Sequence, residues 1–299
     1  MPFYQVTREK SKLRLALTGA SGAGKTLSAL YIAYGITGDW NKIALIDTEH
    51  GRAKFYAGRT DLNTGLFLYQ AMDAPYSPSK YIQMVHEAEQ AVGSDGVVII
   101  DSFSHAWDNE GGVLDINNEN AKKHKGNSFQ AWNETGKIQN NLVNTILSAN
   151  CHTIVTMRVK TEYAVQQNEK GKNQPVKIGL APAQRDNVEY EFDIVLNIEA
   201  QTHFATVSKD TTFLDGWGGV ITPELGKSII EWLDDGVEPE ICEVCNARIQ
   251  PEKGRSIKQI VEGSISNFGK KMCFRCSCKE ALARQKASQA NTNQSNQEG

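Results

Sequence analysis

No apolar run in this chain approaches the roughly 18 residues that a membrane-spanning helix needs. The start, MPFYQVTREKSK, lacks the apolar core of a secretory signal. These two absences predict a cytoplasmic protein without a membrane partner. Cysteine is nearly missing too: before Cys242 there is only Cys151. A disulfide framework is therefore excluded. Nor is there an excess of positive charge, since the net charge is −3. Residues 1–239 hold 22 Lys and Arg against 29 Asp and Glu. A broadly basic, nucleic-acid-coating surface is excluded, so contact with nucleic acid has to come from local patches. Internal repeats are absent as well, and no segment is dense enough in arginine to serve as a phosphotransferase lid.

What is present is ordinary in bulk and pointed in detail. The 299 residues, 40% hydrophobic and 22% charged, suffice for one α/β core of about 230 residues and a small appendage. The core is organised around GASGAGKT, Gly19 to Thr26. An apolar strand, Leu13 to Leu17, precedes it, and a small-residue, Leu-containing helix follows. This is the phosphate-loop pattern in the context it requires. Gly19, Ala20, Ser21, Gly22, Ala23 and Gly24 let successive N–H groups turn inward as an anion cradle at a helix N-terminus. Lys25 reaches the β- and γ-phosphates, and the Thr26 hydroxyl is offered to Mg²⁺. The expected ligand is ATP or GTP with Mg²⁺.

Two further strands end in acids. Lys42 to Ile46 leads into Asp47-Thr48-Glu49, and Val97 to Ile100 leads into Asp101-Ser102. The branched, continuous run at 97–100 belongs in the middle of a parallel sheet covered on both faces. Asp101 is then placed for the Mg²⁺ shell, directly or through water. Glu49 lies at the carboxyl edge of its strand, where ligands bind in such sheets. It is a candidate to deprotonate the attacking water; capping a helix and holding Mg²⁺ are its alternatives. Asp47 is open between a Mg²⁺ and a structural role.

Helices are predicted at 25–37, 78–92, 132–148 and 223–233, and strands at 152–157, 192–198 and 204–208. Residues 103–127 read as a polar loop with one short helix. The stretch 158–185 holds six Lys and Arg (158, 160, 170, 172, 177, 185) and two acids. Part of it reads as a hairpin turning near Lys170-Gly171.

The phosphate loop, ALIDTEHGRAKFYAG (44–58), VVIIDS (97–102), TIVTMRVKTEY (153–163), LAPAQRDNVEYEFDIVLNIE (180–199) and ATVSKD (205–210) together resemble a RecA-type ATPase core. The likeness is to compact ATP-binding proteins of bacteriophages and prophages, and it covers about residues 13–220. It implies an α/β RecA-like P-loop NTPase fold with a parallel central sheet. It also implies ATP hydrolysis with Glu49 as the water-activating glutamate. Arg158 then stands where that family has a sensor of the γ-phosphate, and Lys209 resembles a lysine that reaches a neighbouring subunit's nucleotide. Single-stranded DNA is the implied partner, in recombination or annealing, and a homo-oligomeric ring or short filament the implied assembly. The long N-terminal oligomerisation segment of that family is missing.

Beyond the core, Cys242-x-x-Cys245 and Cys273-x-x-Cys276 form two ligand pairs. Four thiolates around one ion make a closed, structural Zn²⁺ site. An iron–sulfur cluster is the lesser alternative, and Cys278 is spare. Residues 240–299 carry 10 Lys and Arg against 6 acids, so the module suits either nucleic acid or a docking partner. The expected organisation is an ATPase domain over 1–238, a four-cysteine zinc module over 239–284 and a disordered Asn/Gln-rich tail over 285–299. Two other functions stay open: a nucleotide-dependent switch or assembly protein without DNA contact, and a small-molecule phosphotransferase.

Overall fold

The computed structural model describes residues 6–167 and 173–295, with side chains over 6–160 and 181–287. Residues 12–233 form one compact unit; residues up to 11 join those from 234 onward in a second. The first unit opens with β1 (Arg14–Gly19), α1 (Lys25–Thr37), β2 (Ile43–Asp47), β3 (Leu68–Ala71), α2 (Pro78–Val92) and β4 (Val97–Asp101). It continues with α3 (His105–Asp108), α4 (Val113–Lys123), α5 (Ser128–Ser148), β5 (His152–Gln167) and β6 (Asn173–Pro182). It closes with β7 (Ile194–Ile198), β8 (Phe204–Asp210), β9 (Gly218–Val220) and α6 (Pro223–Asp234).

Among the described residues the strands form one sheet in the order β3-β2-β4-β5-β1-β7-β8-β9, with β6 pairing the far end of β5. The pairings from β3 to β7 are parallel, and β8 and β9 extend the sheet antiparallel. The alternation of strand side chains explains the layering. Leu15, Leu17, Leu45 and Ile99 pack on one face with Leu30, Ile32 and Ile229 from α1 and α6. Ala16, Ile46, Val98 and Ile100 pack on the other with Tyr81, Val85, Leu142 and Ile146 from α2 and α5. The central strands are apolar on both sides because both sides are covered. Pro78 in the first turn of α2 and a Ser77 side chain accepting from Lys80 N start that helix as the sequence predicts.

The region after β4 departs from expectation. Residues 103–127 hold two helices, α3 and α4, and α5 begins four residues early at Ser128. The buried face of α4 is half polar, with Val113 and Ala121 joined by Asn117 and Asn120. Asn117 Nδ2 donates to Ser128 Oγ at 2.9 Å and Asn120 Nδ2 to Thr135 Oγ1 at 3.2 Å. Paired amides bury without apolar periodicity, so the hydropathy pattern is silent there. Asn127 caps α5, its side chain accepting from Gln130 N at 3.1 Å.

Arg14 is a buried charge with a structural task. Its guanidinium donates to the carbonyls of Leu147 and Cys151, each at 2.7 Å, and of Ala149, closing the end of α5. Arg14→Met leaves those carbonyls unpaired, and a loss of about 3 kcal/mol is expected. Denaturant unfolding measures it; a change below about 1 kcal/mol would remove Arg14 from this role.

The second unit contains α7 (Ile257–Phe268) and α8 (Phe274–Ser295). Its boundaries differ from the sequence expectation at both ends. Residues before 12 belong to it because Lys10 N donates to Val237 O at 3.0 Å and Val237 N to Arg8 O at 2.9 Å. Glu9–Arg248 and Lys10–Glu238 ion pairs add to this pairing. The stretch expected to be a disordered tail from 285 continues as helix to Ser295, since KEALARQKASQA is rich in strong helix formers. A small cluster of Ile249, Ile260, Val261 and Met272 surrounds Cys242.

Candidate functional site

Parallel register brings the predicted site residues to one sheet edge. Gly19 stands opposite Arg158 across β1 and β5, and Asp47 opposite Asp101 across β2 and β4. The loop from β1 to α1 turns on Gly22 (φ 83°) and Gly24 (φ 88°), left-handed conformations that side chains other than glycine adopt at a cost. The resulting cleft, about 430 Å³, is lined by Gly22, Lys25, Thr26, Glu49, Asp101 and Arg158, among others.

The cleft holds its charges in a closed network. Lys25 Nζ donates to the carbonyls of Gly19 at 2.9 Å and Ala20 at 2.8 Å. Burial lowers its pKa, and Asp101 and Glu49 work against that. A phosphate chain in the loop offers the ammonium better acceptors than these two carbonyls. Asp101 is fully enclosed; burial raises its carboxyl, opposed by the hydroxyls of Thr156 and Thr26. Thr26 Oγ1 donates to Asp101 Oδ2 at 2.6 Å and Thr156 Oγ1 to Oδ1. A carboxylate and a hydroxyl this close, beside an anion cradle, are an oxygen donor set suited to Mg²⁺.

Asp47 is committed to the turn. Its Oδ1 accepts from Glu49 N at 2.6 Å, and its Oδ2 from Ala53 N and the Tyr69 hydroxyl, both at 3.2 Å. The turn thereby presents Glu49 to the cleft. Arg158 grips Glu49 as a fork: Nε donates to Oε1 at 2.8 Å and Nη2 to Oε2. Burial alone would raise the Glu49 carboxyl. Hydrogen bonds and charge from Arg158 outweigh it, with smaller help from His105 and Arg52, and hold it below the ordinary range. Arg158 is itself anchored, because its backbone N–H donates to Ser104 Oγ at 2.9 Å.

A family model described as AAA domain matches residues 11–220. The chain belongs to the AAA-domain family. It is accordingly an ATP-binding P-loop NTPase, and its enzymatic activity is hydrolysis of ATP. No curated protein matches it.

Of the residues singled out from sequence, 19–26, Glu49, Asp101 and Arg158 of this AAA domain converge on the cleft. Lys209 on β8 does not line it; its ammonium donates to the carbonyls of Tyr190 and of Phe192, the latter at 2.6 Å. Lys170 and Lys172 lie outside the described residues. Sequence reasoning missed Tyr31, Arg52, Tyr56 and His203, all at the cleft. His203 Nδ1 lies 3.1 Å from Ala23 O, a contact across 180 residues that no local spacing announces. His105 and Thr156 were missed for the same reason.

The second unit holds a separate site. The Sγ atoms of Cys242, Cys245, Cys273 and Cys276 all lie within 4.8 Å of one another, a cluster able to chelate a metal. Zn–S bonds of about 2.3 Å in a tetrahedron put sulfurs about 3.8 Å apart. Cys245 and Cys273 are 3.9 Å apart. Turns present the thiols: Asn246 N donates to Cys242 O at 2.9 Å, and Cys276 N approaches Cys273 Sγ at 3.5 Å. Cys242 is pulled to about 6 by backbone N–H groups despite burial, while burial and the neighbouring thiols push Cys276 to about 12. Four thiols in so small a volume ionise together only around a cation. Cys278 is exposed and outside the cluster.

Proposed function

We propose that this AAA-domain protein is a RecA-type, phage-like ATPase that acts on single-stranded DNA in recombination, annealing or repair. In the cleft, the 19–24 loop and Lys25 bind the phosphates of ATP, and the part lined by Tyr31 and His203 takes the nucleoside. Thr26 and Asp101 would hold Mg²⁺, which would supply positive charge against the phosphates. Glu49 accepts the proton of a water whose oxygen bonds to the γ-phosphorus. The bond to the bridging oxygen breaks, and its electron pair leaves with ADP. Arg158 moves from Glu49 to the γ-phosphate, where it senses the nucleotide.

The observation that carries the DNA reading is the continuity of β5. The same strand bears Thr156, bonded to Asp101, and Arg158, bonded to Glu49, and then runs into the antiparallel hairpin with β6. The far side of that hairpin returns to the site as well. Ala183 N donates to Arg158 O at 2.7 Å, and Gln184 Nε2 donates to Phe103 O at 3.1 Å, two residues past Asp101. The residues that follow the hairpin help line a polar cleft of about 470 Å³, with Gln139, Asn140, Asn144, Arg185 and Asn187 on its wall beside the acids Asp186 and Glu191. A strand of nucleic acid seated on the hairpin and in this cleft is therefore coupled to the γ-phosphate by a few hydrogen bonds.

The test is single-stranded DNA affinity at two salt concentrations, with a β,γ-imido ATP analogue, for wild type and a Lys170/Lys172/Lys177→Ala variant. Loss of three phosphate contacts is expected to weaken binding and flatten the salt slope by about 2. An unchanged affinity and slope would move DNA away from the hairpin. Absence of any DNA binding would favour the other reading, a nucleotide-dependent switch, which the excess of acid over base in residues 1–239 suits. Lys209, once released from the Tyr190 and Phe192 carbonyls, is proposed to reach a neighbouring copy in a ring or short filament. We also assign Zn²⁺ to the four-cysteine cluster.

A further inference from the structure

We infer that His105 is the positioning residue of Glu49, replacing Arg158 as its hydrogen-bond partner when nucleotide binds. The inference rests on the reading of Glu49 as the base that activates water.

Three observations carry it. The imidazole is 2% exposed, and neither ring nitrogen reaches a partner in good hydrogen-bond geometry, the Thr48 backbone exerting only a weak pull. A buried polar group without a good partner is costly, so the ring's position asks for a function. Its Nε2 lies 3.8 Å from Glu49 Oε1, slightly beyond a hydrogen bond, and that oxygen is at present occupied by Arg158 Nε. The ring is also held in place. Tyr76 packs on it with ring centroids 5.2 Å apart. The chain leading to it is pinned by Phe103 N donating to Thr156 O at 2.9 Å and Ser104 N to Ser102 Oγ at 3.2 Å.

Exposure decides which partner leaves. The Arg158 side chain is 40% exposed against 13% for Glu49 and 3% for His105. Arg158 can swing toward a bound phosphate, while Glu49 and His105 stay enclosed together. The exchange also changes the chemistry of the carboxylate. A forked guanidinium keeps Glu49 a weak base. Burial is the largest influence lowering the His105 pKa; the charge of Arg158 adds to it only while the fork is in place, and Glu49, Asp108 and the Thr48 backbone oppose it, so after Arg158 leaves it is burial that favours the neutral ring. A neutral ring offers one N–H, which aims the carboxylate without suppressing its basicity. No bond to the ring is made or broken in the reaction.

The test compares His105→Phe, which keeps a ring against Tyr76 but offers no donor, with His105→Gln, whose amide places a donor near the Nε2 position. Steady-state ATP turnover and affinity for a fluorescent ATP analogue are measured for both. His105→Phe is expected to lower kcat by about 10- to 100-fold, the scale of a misaimed catalytic group, with analogue affinity within about twofold. His105→Gln is expected to recover most of kcat. Turnover at the wild-type rate in His105→Phe, or equal loss in both variants, overturns the inference. Glu49→Gln run alongside keeps the two readings apart. If it hydrolyses ATP normally, the base assignment fails; if it is inactive while His105→Phe is normal, only the role of His105 fails. Should His105→Phe not fold, ¹⁵N-histidine spectra of the wild-type protein decide. The His105 Nε2 resonance is expected to shift on adding the β,γ-imido analogue with Mg²⁺, and an unmoved resonance overturns the exchange.

Discussion

Glu49→Gln is expected to bind ATP at least as tightly as the wild-type protein and to hydrolyse it about 10²- to 10⁴-fold more slowly, the range for losing a positioned general base. The amide has nearly the shape of the carboxylate, and the turn that carries it depends on Asp47, not on the Glu49 side chain. Phosphate binding depends on the 19–26 loop, which the substitution leaves alone. Removing the negative charge also frees Arg158 from its fork, so the guanidinium becomes available to the γ-phosphate without competition. Lys25→Ala gives the contrasting phenotype: binding itself is lost with the ammonium. Equilibrium binding and steady-state turnover of both variants check the pair. Hydrolysis near the wild-type rate in Glu49→Gln would return Glu49 to a capping or ion-pairing role.

The halves of this site differ in how far the sequence discloses them. The phosphate loop is legible because its chemistry is local: eight consecutive residues supply the turn, the cation and the hydroxyl. Asp101 and Glu49 are legible at one remove, because strands that end in acids place those acids at a common edge once the sheet is parallel. The Arg158–Glu49 fork is different in kind. It joins residues 109 positions apart, and only the register of β2, β4 and β5 fixes them side by side. His105 is further hidden, because nothing in DSFSHAW separates a catalytic-site histidine from a core one until its poorly partnered ring is seen beside Glu49.

The fold shows the same division. Central strands and amphipathic helices announce themselves through apolar periodicity, and α2 is read almost to the residue. Helix α4 does not, because Asn117 and Asn120 occupy its inner face, where their amide nitrogens donate to Ser128 and Thr135. The pairing of residues 8–10 with 237 rests on backbone groups, which every sequence possesses. No side-chain pattern signals it.

Freshly purified protein is expected to hold one Zn²⁺ per chain, and stripping it is expected to unfold the second unit while the P-loop unit survives. The reason lies in the size of the two cores. The P-loop unit buries two extensive apolar layers on a sheet. Among the described residues the second unit buries only Ile249, Ile260, Val261 and Met272 around Cys242, with Ile257, Phe268 and Phe274 half-buried against them, a core too small to stabilise it unaided. Structural Zn²⁺ in small Cys and His modules contributes about 10–16 kcal/mol of apparent binding energy near neutral pH, and in such a module that is folding energy. Without the ion, four thiols within 4.8 Å of one another resist ionising together, and the knuckle at 242–246 loses its reason to meet the one at 273–276. Cys242→Ser with Cys273→Ser removes one ligand from each knuckle and is expected to match the chelated protein. Hydrogen exchange read segment by segment, before and after a strong chelator, measures the effect. Protection should vanish in α7 and persist in β1, β2 and β4, with ATP binding intact. Protein that contains no tightly bound zinc as isolated, or an α7 that keeps its protection after chelation, would remove the metal from the folding of this unit.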